Sequence, residues 1–172
     1  MNVYLLSGLP GTGKTTIQHE LDKLGFDTIN TDEAWGYYGN LVTEEPVEAP
    51  SEKTREWIKS NGWIWNSKVV RPILEEAHIK PLIVCGGSRN EEQFYPLFAK
   101  IFSLHVPDGV MRERLQARNG TAGTTEQFIE RMVEFNQGFY ERAAKKGGIV
   151  IETTEPLEVC VDKIQREIND HK

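Results

Sequence analysis

Residues Gly8-Leu9-Pro10-Gly11-Thr12-Gly13-Lys14-Thr15 place three glycines, a lysine and a hydroxyl in one short stretch. The order fits Gly, four residues, Gly-Lys-Ser/Thr without a substitution. Such residues can hold a polyphosphate. Gly8, Gly11 and Gly13 let the backbone turn tightly and aim its N–H groups inward. The helix that begins here adds its positive N-terminal end, and Pro10, Thr12 and Thr16 belong to the same cradle. Lys14 can reach the β- and γ-phosphates, and the Thr15 hydroxyl can ligate Mg²⁺. The loop predicts a site for a nucleoside triphosphate.

Four further side chains could act on what the loop holds. Asp32 follows the second apolar run; a carboxylate beside a metal and a γ-phosphate can take an acceptor proton or steady metal-bound water. Its structural alternative is to cap a following helix. Arg89 offers a planar, bidentate guanidinium suited to phosphate, or a surface ion pair. Arg114 and Arg118 stand four apart, hence on one helix face, where stacking on a π-face and neutralising γ-phosphoryl charge are both apt. Arg112, beside them, reads as part of an exposed charged face.

The elements that must position these groups follow from hydrophobic period. Candidate strands are residues 2–7, 26–30, 81–85, 100–106 and 148–152. Ile17, Leu21 and Leu24 give a helix after the loop, and further helices are predicted over about 108–118, 125–146 and 156–169. The second of these carries Phe128, Met132, Phe135 and Phe139 on one stripe. Strands alternating with helices predict an α/β fold, a parallel sheet covered on both faces, with ligands beyond the carboxyl ends of the strands. Residues 31–80 are too long for a simple crossover and predict an insertion folded over those ends. It contains Trp57, Trp63 and Trp65, and the Trp63-Ile64-Trp65 alternation reads as a short strand with one indole available to a cleft.

Composition bounds the rest. A chain of 172 residues, 38% hydrophobic and 27% charged, is expected to form one globular domain. The net charge of −6 advertises no basic face and argues against a general nucleic-acid partner. Cys85 and Cys160 form no CxxC pair and read as buried thiols. The four histidines show no ligand spacing. A first strand that starts at once, and the lack of an apolar run near twenty residues, predict a cytoplasmic protein without a membrane span.

In order and length the chain resembles the small P-loop kinases, the group of adenylate kinase, shikimate kinase, gluconate kinase and the kinase half of phage polynucleotide kinase. The resemblance is specific at residues 8–15, moderate at three later points and weak in the insertion. It implies a three-layer fold around a five-stranded parallel sheet of order 2-3-1-4-5. It also implies an acceptor-binding insertion over about 31–80 and a short lid over about 118–126, where Asn119-Gly120-Thr121-Ala122-Gly123 follows Arg118. ATP with Mg²⁺ is the implied donor. Asn30-Thr31-Asp32-Glu33 matches the place where hydroxyl-phosphorylating relatives keep a base and monophosphate kinases keep an acid beside Mg²⁺-bound water. Cys85-Gly86-Gly87-Ser88-Arg89-Asn90 is similar to the Asp-Gly-Phe-Pro-Arg-Thr of adenylate kinases, with Gln93 four residues beyond the Arg. By that likeness Arg89 would hold an acceptor phosphate and Gln93 an acceptor base. Arg114 and Arg118 would stack on the adenine and reach the transferring phosphates as the lid closes, and the loop holding Thr154 and Pro156 would touch the adenine.

Two departures stand out. Cys85 occupies the place of the acid that often orients Mg²⁺, and Trp35 replaces an arginine of the acceptor site. Metal binding then leans on Thr15, with Asp32 in support through water. The implied function is phosphoryl transfer from ATP to a small acceptor, nucleoside- or nucleotide-like before a hydroxyl metabolite. A regulatory NTPase is the rival without an acceptor. A polynucleotide-end kinase is disfavoured by Glu44, Glu45, Glu48 and Glu52 in the insertion, where a basic groove would be needed. Oligomeric state is left open.

Overall fold

The computed structural model describes residues 2–76, 78–118 and 125–170. Residues 119–124, the greater part of the expected lid, lie outside the described residues. Five strands form one parallel sheet: β1 (Val3–Gly8), β2 (Asp27–Asn30), β5 (Leu82–Cys85), β6 (Lys100–His105) and β7 (Ile149–Glu152). Their order across the sheet is β2-β5-β1-β6-β7, which is 2-3-1-4-5 among the parallel strands. Each expected strand is present within about two residues of its predicted ends.

All six residues of β1 are buried, which explains its continuous apolar run: a central strand has both faces covered. Tyr4 and Leu6 pack with Ile17 and Leu21 of α1 (Lys14–Lys23) and with Val161, Ile164 and Ile168 of α8 (Leu157–Asn169). On the opposite face Val3 and Leu5 pack with Trp35, Trp65, Phe94, and Val70 and Leu74 of α4 (Ser67–Glu75). Cys85 and Cys160 are both buried, as free thiols, in the first of these cores.

The insertion is built around a two-stranded antiparallel sheet, β3 (Gly36–Asn40) with β4 (Asn61–Trp65). Short helices flank it, α2 (Thr31–Ala34) and α3 (Arg55–Ser60). After β5 the chain runs through a 3-10 helical segment, Glu91–Leu97. Beyond β6 come α5 (Asp108–Gln116), α6 (Glu126–Asn136) and α7 (Phe139–Lys145). The single helix expected over 125–146 is thus two. Gly138 adopts a left-handed φ of 68°, a conformation that ends a helix cheaply only at glycine, and Gln137-Gly138 breaks the rod. Among the described residues no helix is long and apolar enough to cross a membrane.

Candidate active site

The phosphate loop leaves the carboxyl end of β1 and closes on α1. Gly13, at φ 94°, precedes the first helical residue, Lys14, and a left-handed turn there is open to glycine at no steric cost. Thr12 braces the loop by donating to the Leu9 carbonyl through its hydroxyl (2.7 Å) and its amide (3.2 Å). Lys14 Nζ donates to the carbonyls of Gly8 (2.7 Å) and Leu9 (3.2 Å), so the ammonium is folded back over its own loop. Burial pushes the Lys14 ammonium down to about 8; Asp32 works against the shift, Arg118 adds to it, and Glu91 again opposes it. Those three side chains therefore lie within electrostatic reach of Lys14. Thr15 and Thr16 are exposed in the first turn of α1.

A cavity of about 840 Å³ opens beside the loop, between the β3–β4 sheet and α6. Gly8, Pro10, Lys14, Asp32 and Arg89 line it, so the structure brings these predicted residues together. Asp32 sits in α2, and Asn30 caps that helix by accepting from the Asp32 amide (3.1 Å). The Asp32 carboxylate is released from capping and instead accepts from Trp63 Nε1 (3.1 Å). Arg89 donates through Nη1 to the Ile58 carbonyl (3.2 Å) in the insertion. Aromatic rings supply much of the remaining wall: Tyr38 meets Trp63 and Trp57 edge-on, with centroids 5.1 and 5.8 Å apart. Phe128, Met132, Phe135 and Phe139, read as one stripe, all face this cavity despite the helix break.

Trp35 and Gln93 stand elsewhere. Trp35 is buried in the core, edge-on to Trp65 at 6.1 Å. Apolar burial outweighs any role that its position in the chain implies. Gln93 Nε2 donates to Glu44 Oε1 (2.9 Å), away from the cavity lining. Glu44, a non-glycine residue at φ 57°, also accepts from Ser67 Oγ (2.7 Å) and Asn90 Nδ2 (3.1 Å). Burial works against its charge, but these hydrogen bonds outweigh it and hold the carboxyl below the usual range. Asn90 in turn grips both main-chain groups of Trp65, accepting from its N–H (2.9 Å) and donating to its carbonyl (3.0 Å).

On the far side of the loop, Arg114 donates to the Thr153 carbonyl (2.7 Å), to Thr153 Oγ1 (3.1 Å) and to the Gly11 carbonyl (3.4 Å). Thr153 is buried and its hydroxyl donates to the Thr12 carbonyl (2.7 Å). The loop after β7 thus meets the phosphate loop through Thr153. The neighbouring Thr154 and Pro156 are exposed, with Thr154 Oγ1 bonded to Glu152 (3.2 Å).

Glu91 is a site residue that the sequence did not mark. It shares the cavity lining with Lys14 and follows Cys85 by six residues. Its Oε1 accepts from Tyr95 Oη (2.8 Å), its Oε2 from the Ser88 amide (3.1 Å), and Ser7 Oγ lies 3.0 and 3.1 Å from the two oxygens. Burial pushes this carboxyl up, against the pull of those donors and of Lys14.

Mg²⁺ takes oxygen ligands, usually one or two from the protein plus phosphates and water. The Thr15 hydroxyl and the Asp32 carboxylate are oxygen donors of that kind, so the residues present fit a cation brought in with a nucleotide. Among the described residues no three His, Cys, Asp or Glu form a ligand cluster.

Residues 5–134 match the family model described as AAA domain. A UPF0200 protein of Thermococcus gammatolerans is 29% identical over 150 residues, covering 75% of this chain and 74% of that protein. Deoxyadenosine kinase from M. mycoides with bound dATP superposes with a TM-score of 0.59 at 15% identity, covering 97% of this chain and 99% of the other. Shikimate kinase from Bacteroides thetaiotaomicron superposes with a TM-score of 0.56 at 19% identity, covering 97% and 98%. At these identities the two structures share the fold of this chain.

Proposed function

Since the chain belongs to the AAA domain family, we propose that its phosphate loop binds ATP with Mg²⁺ and that the adjoining cavity presents a small acceptor for phosphoryl transfer. The observation that carries this reading is the Asp32 carboxylate, fixed by Trp63 Nε1 at 3.1 Å, in the same cavity as Lys14 and Gly8. The same cavity carries an aromatic wall of Tyr38, Trp57 and Trp63, which favours an acceptor beside the nucleotide over simple hydrolysis or sensing of ATP.

The loop amides and Lys14 stabilise charge on the β- and γ-phosphates, and Thr15 holds the cation with Asp32 in support. When bound, Mg²⁺ neutralises charge on the transferring phosphoryl. Asp32 accepts the proton of an acceptor hydroxyl, and Arg89, whose amide donates to the Trp63 carbonyl (2.8 Å), orients the acceptor. Arg114, anchored on Thr153, flanks the adenine, and Arg118 adds positive charge near the phosphates. Catalysis of this type is mostly positioning and electrostatics.

An acceptor with a planar base suits walls made of Tyr38, Trp57 and Trp63, so a nucleoside-like molecule stands first. A hydroxyl metabolite stands second, on Asp32 alone. The kinase fold shared with deoxyadenosine kinase and shikimate kinase supports the reaction class and leaves both acceptors open.

The test is a screen with labelled ATP against nucleosides, nucleoside monophosphates, sugars, hydroxy acids and oligonucleotide ends. A phosphorylated nucleoside is expected, and Asp32→Asn should lower its formation by roughly 10²–10⁴-fold, the usual worth of a positioned base. Tight ATP binding with no phosphorylated product from any acceptor would defeat the kinase reading.

A further inference from the structure

The Asp32 carboxylate is not the only acid near Lys14, and the last residue of β5, where the resemblance to small P-loop kinases implies a cation-orienting acid, is a thiol. Cys85 cannot serve a hard cation. It is buried, burial pushes its thiol far up so that it stays neutral, and its Sγ lies against the Ile83 carbonyl at 3.8 Å. We propose that Glu91, six residues further on, is the acid that steadies the Mg²⁺ of the bound nucleotide. The inference rests on the ATP reading above.

Three observations support it. Glu91 lines the cavity together with Lys14 and Gly8. It also lies close against the loop: a Cβ added at Gly87 would stand 3.5 Å from Glu91 Oε2 and 3.4 Å from the Gly8 carbonyl oxygen. That same carbonyl accepts from Lys14 Nζ at 2.7 Å. The backbone at Gly87 leaves open the space between acid and loop that any side chain would fill.

The third observation is the count of its hydrogen bonds. A carboxylate offers about four acceptor positions. Tyr95, the Ser88 amide and Ser7 bring three protons, with the Ser7 hydroxyl reaching both oxygens. One position is left for a further donor, such as metal-bound water. The three donors also fix the carboxylate's orientation, as the partners of a cation-orienting acid should. An acid used only to tie Ser7 to Ser88 would need neither a cavity face nor the proximity of Lys14, and it would carry a desolvation cost that a neutral amide avoids.

The experiment measures Mn²⁺ binding to the protein–ADP complex by water-proton relaxation, and ADP binding in EDTA by calorimetry. In Glu91→Gln the Mn²⁺ affinity of the complex should fall about tenfold or more, while ADP affinity in EDTA stays within about twofold of wild type. A purely structural Glu91 would give the opposite pattern: equal loss with and without metal, or no change in either. Either of those results overturns the inference. If Glu91→Gln does not fold, Ser7→Ala supplies the second test, because it removes the donor that reaches both carboxylate oxygens and so loosens the carboxylate's orientation while keeping its charge. Its Mn²⁺ affinity should drop with metal-free ADP binding unchanged, and an unchanged Mn²⁺ affinity overturns the inference. Failure of the wild type to bind ADP at all would remove the ATP reading and this inference with it.

Discussion

Raising the pH should weaken nucleotide binding through one group, Lys14. Its ammonium is held down to about 8 by burial, well below the ordinary lysine value. Phosphates bind the ammonium and not the amine, so the bound state holds this proton more tightly than the free protein does. Affinity is therefore full below pH 8 and is lost as pH rises through that value. With a free-state value of about 8, about nine in ten molecules are protonated at pH 7 and about one in eleven at pH 9, so the apparent Kd for ATP rises about tenfold between them. Binding at pH 9 should also take up about 0.9 proton per nucleotide, because most molecules must recharge Lys14 first. Titration calorimetry in EDTA, run in buffers of different ionisation enthalpy, reads both quantities. Lys14→Met should bind more weakly throughout and lose the proton uptake. An ATP affinity that is flat from pH 7 to 9.5, or uptake that persists in Lys14→Met, would refute the assignment of Lys14 as the depressed ammonium.

Two further outcomes follow from contacts beside the loop. Thr153→Val keeps the shape of a buried residue but removes the hydroxyl that donates to the Thr12 carbonyl and accepts from Arg114. Leaving that carbonyl unpaired should cost about 1–3 kcal/mol, and a domain of this size loses about 2–4 °C of melting temperature per kcal/mol. A thermal melt within 1 °C of wild type would show that the bond contributes nothing. Gly86→Ala would set a methyl group 1.7 Å from Thr31 Oγ1, in a buried corner where β5 meets α2. Thr31 or the backbone must shift, so urea unfolding should show a loss of about 1–3 kcal/mol. An unchanged midpoint would mean that the corner is looser than its packing indicates.

The sheet was legible because its strands bury both faces: Val3 to Leu6 and Leu82 to Cys85 read as unbroken apolar runs. The phosphate loop was legible because three conformational demands fall on glycine at fixed spacing. What escaped depends on contacts between distant residues. β3, with the sequence Gly-Tyr-Tyr-Gly-Asn, has no strand-like period and takes its form from pairing with β4. The break before Phe139 was hidden because the aromatic stripe continues across Gly138 while the backbone does not. Trp63 and Trp65, two apart on β4, share a face; the core took Trp65 and the cavity took Trp63. Gln93 and Trp35 could be placed by likeness to the small P-loop kinases, but their side chains answer to Glu44 and to the core instead. Glu91 and Thr153 gave no local signal, since their roles arise only from Ser7, Lys14, Thr12 and Arg114 around them.

The Glu44 junction bears on how this protein can be re-engineered. One strained residue of the insertion holds Asn90 and Gln93 from the segment after β5, and Asn90 holds Trp65 of β4 in return. The two segments that form this cavity wall are therefore a single cassette rather than two interchangeable loops. Grafting a relative's insertion alone would leave Asn90 and Gln93 without their carboxylate and would shift Arg89 and Glu91, which flank Asn90 in the chain. Recombination between family members should yield working hybrids only when residues 36–65 and 88–93 travel together.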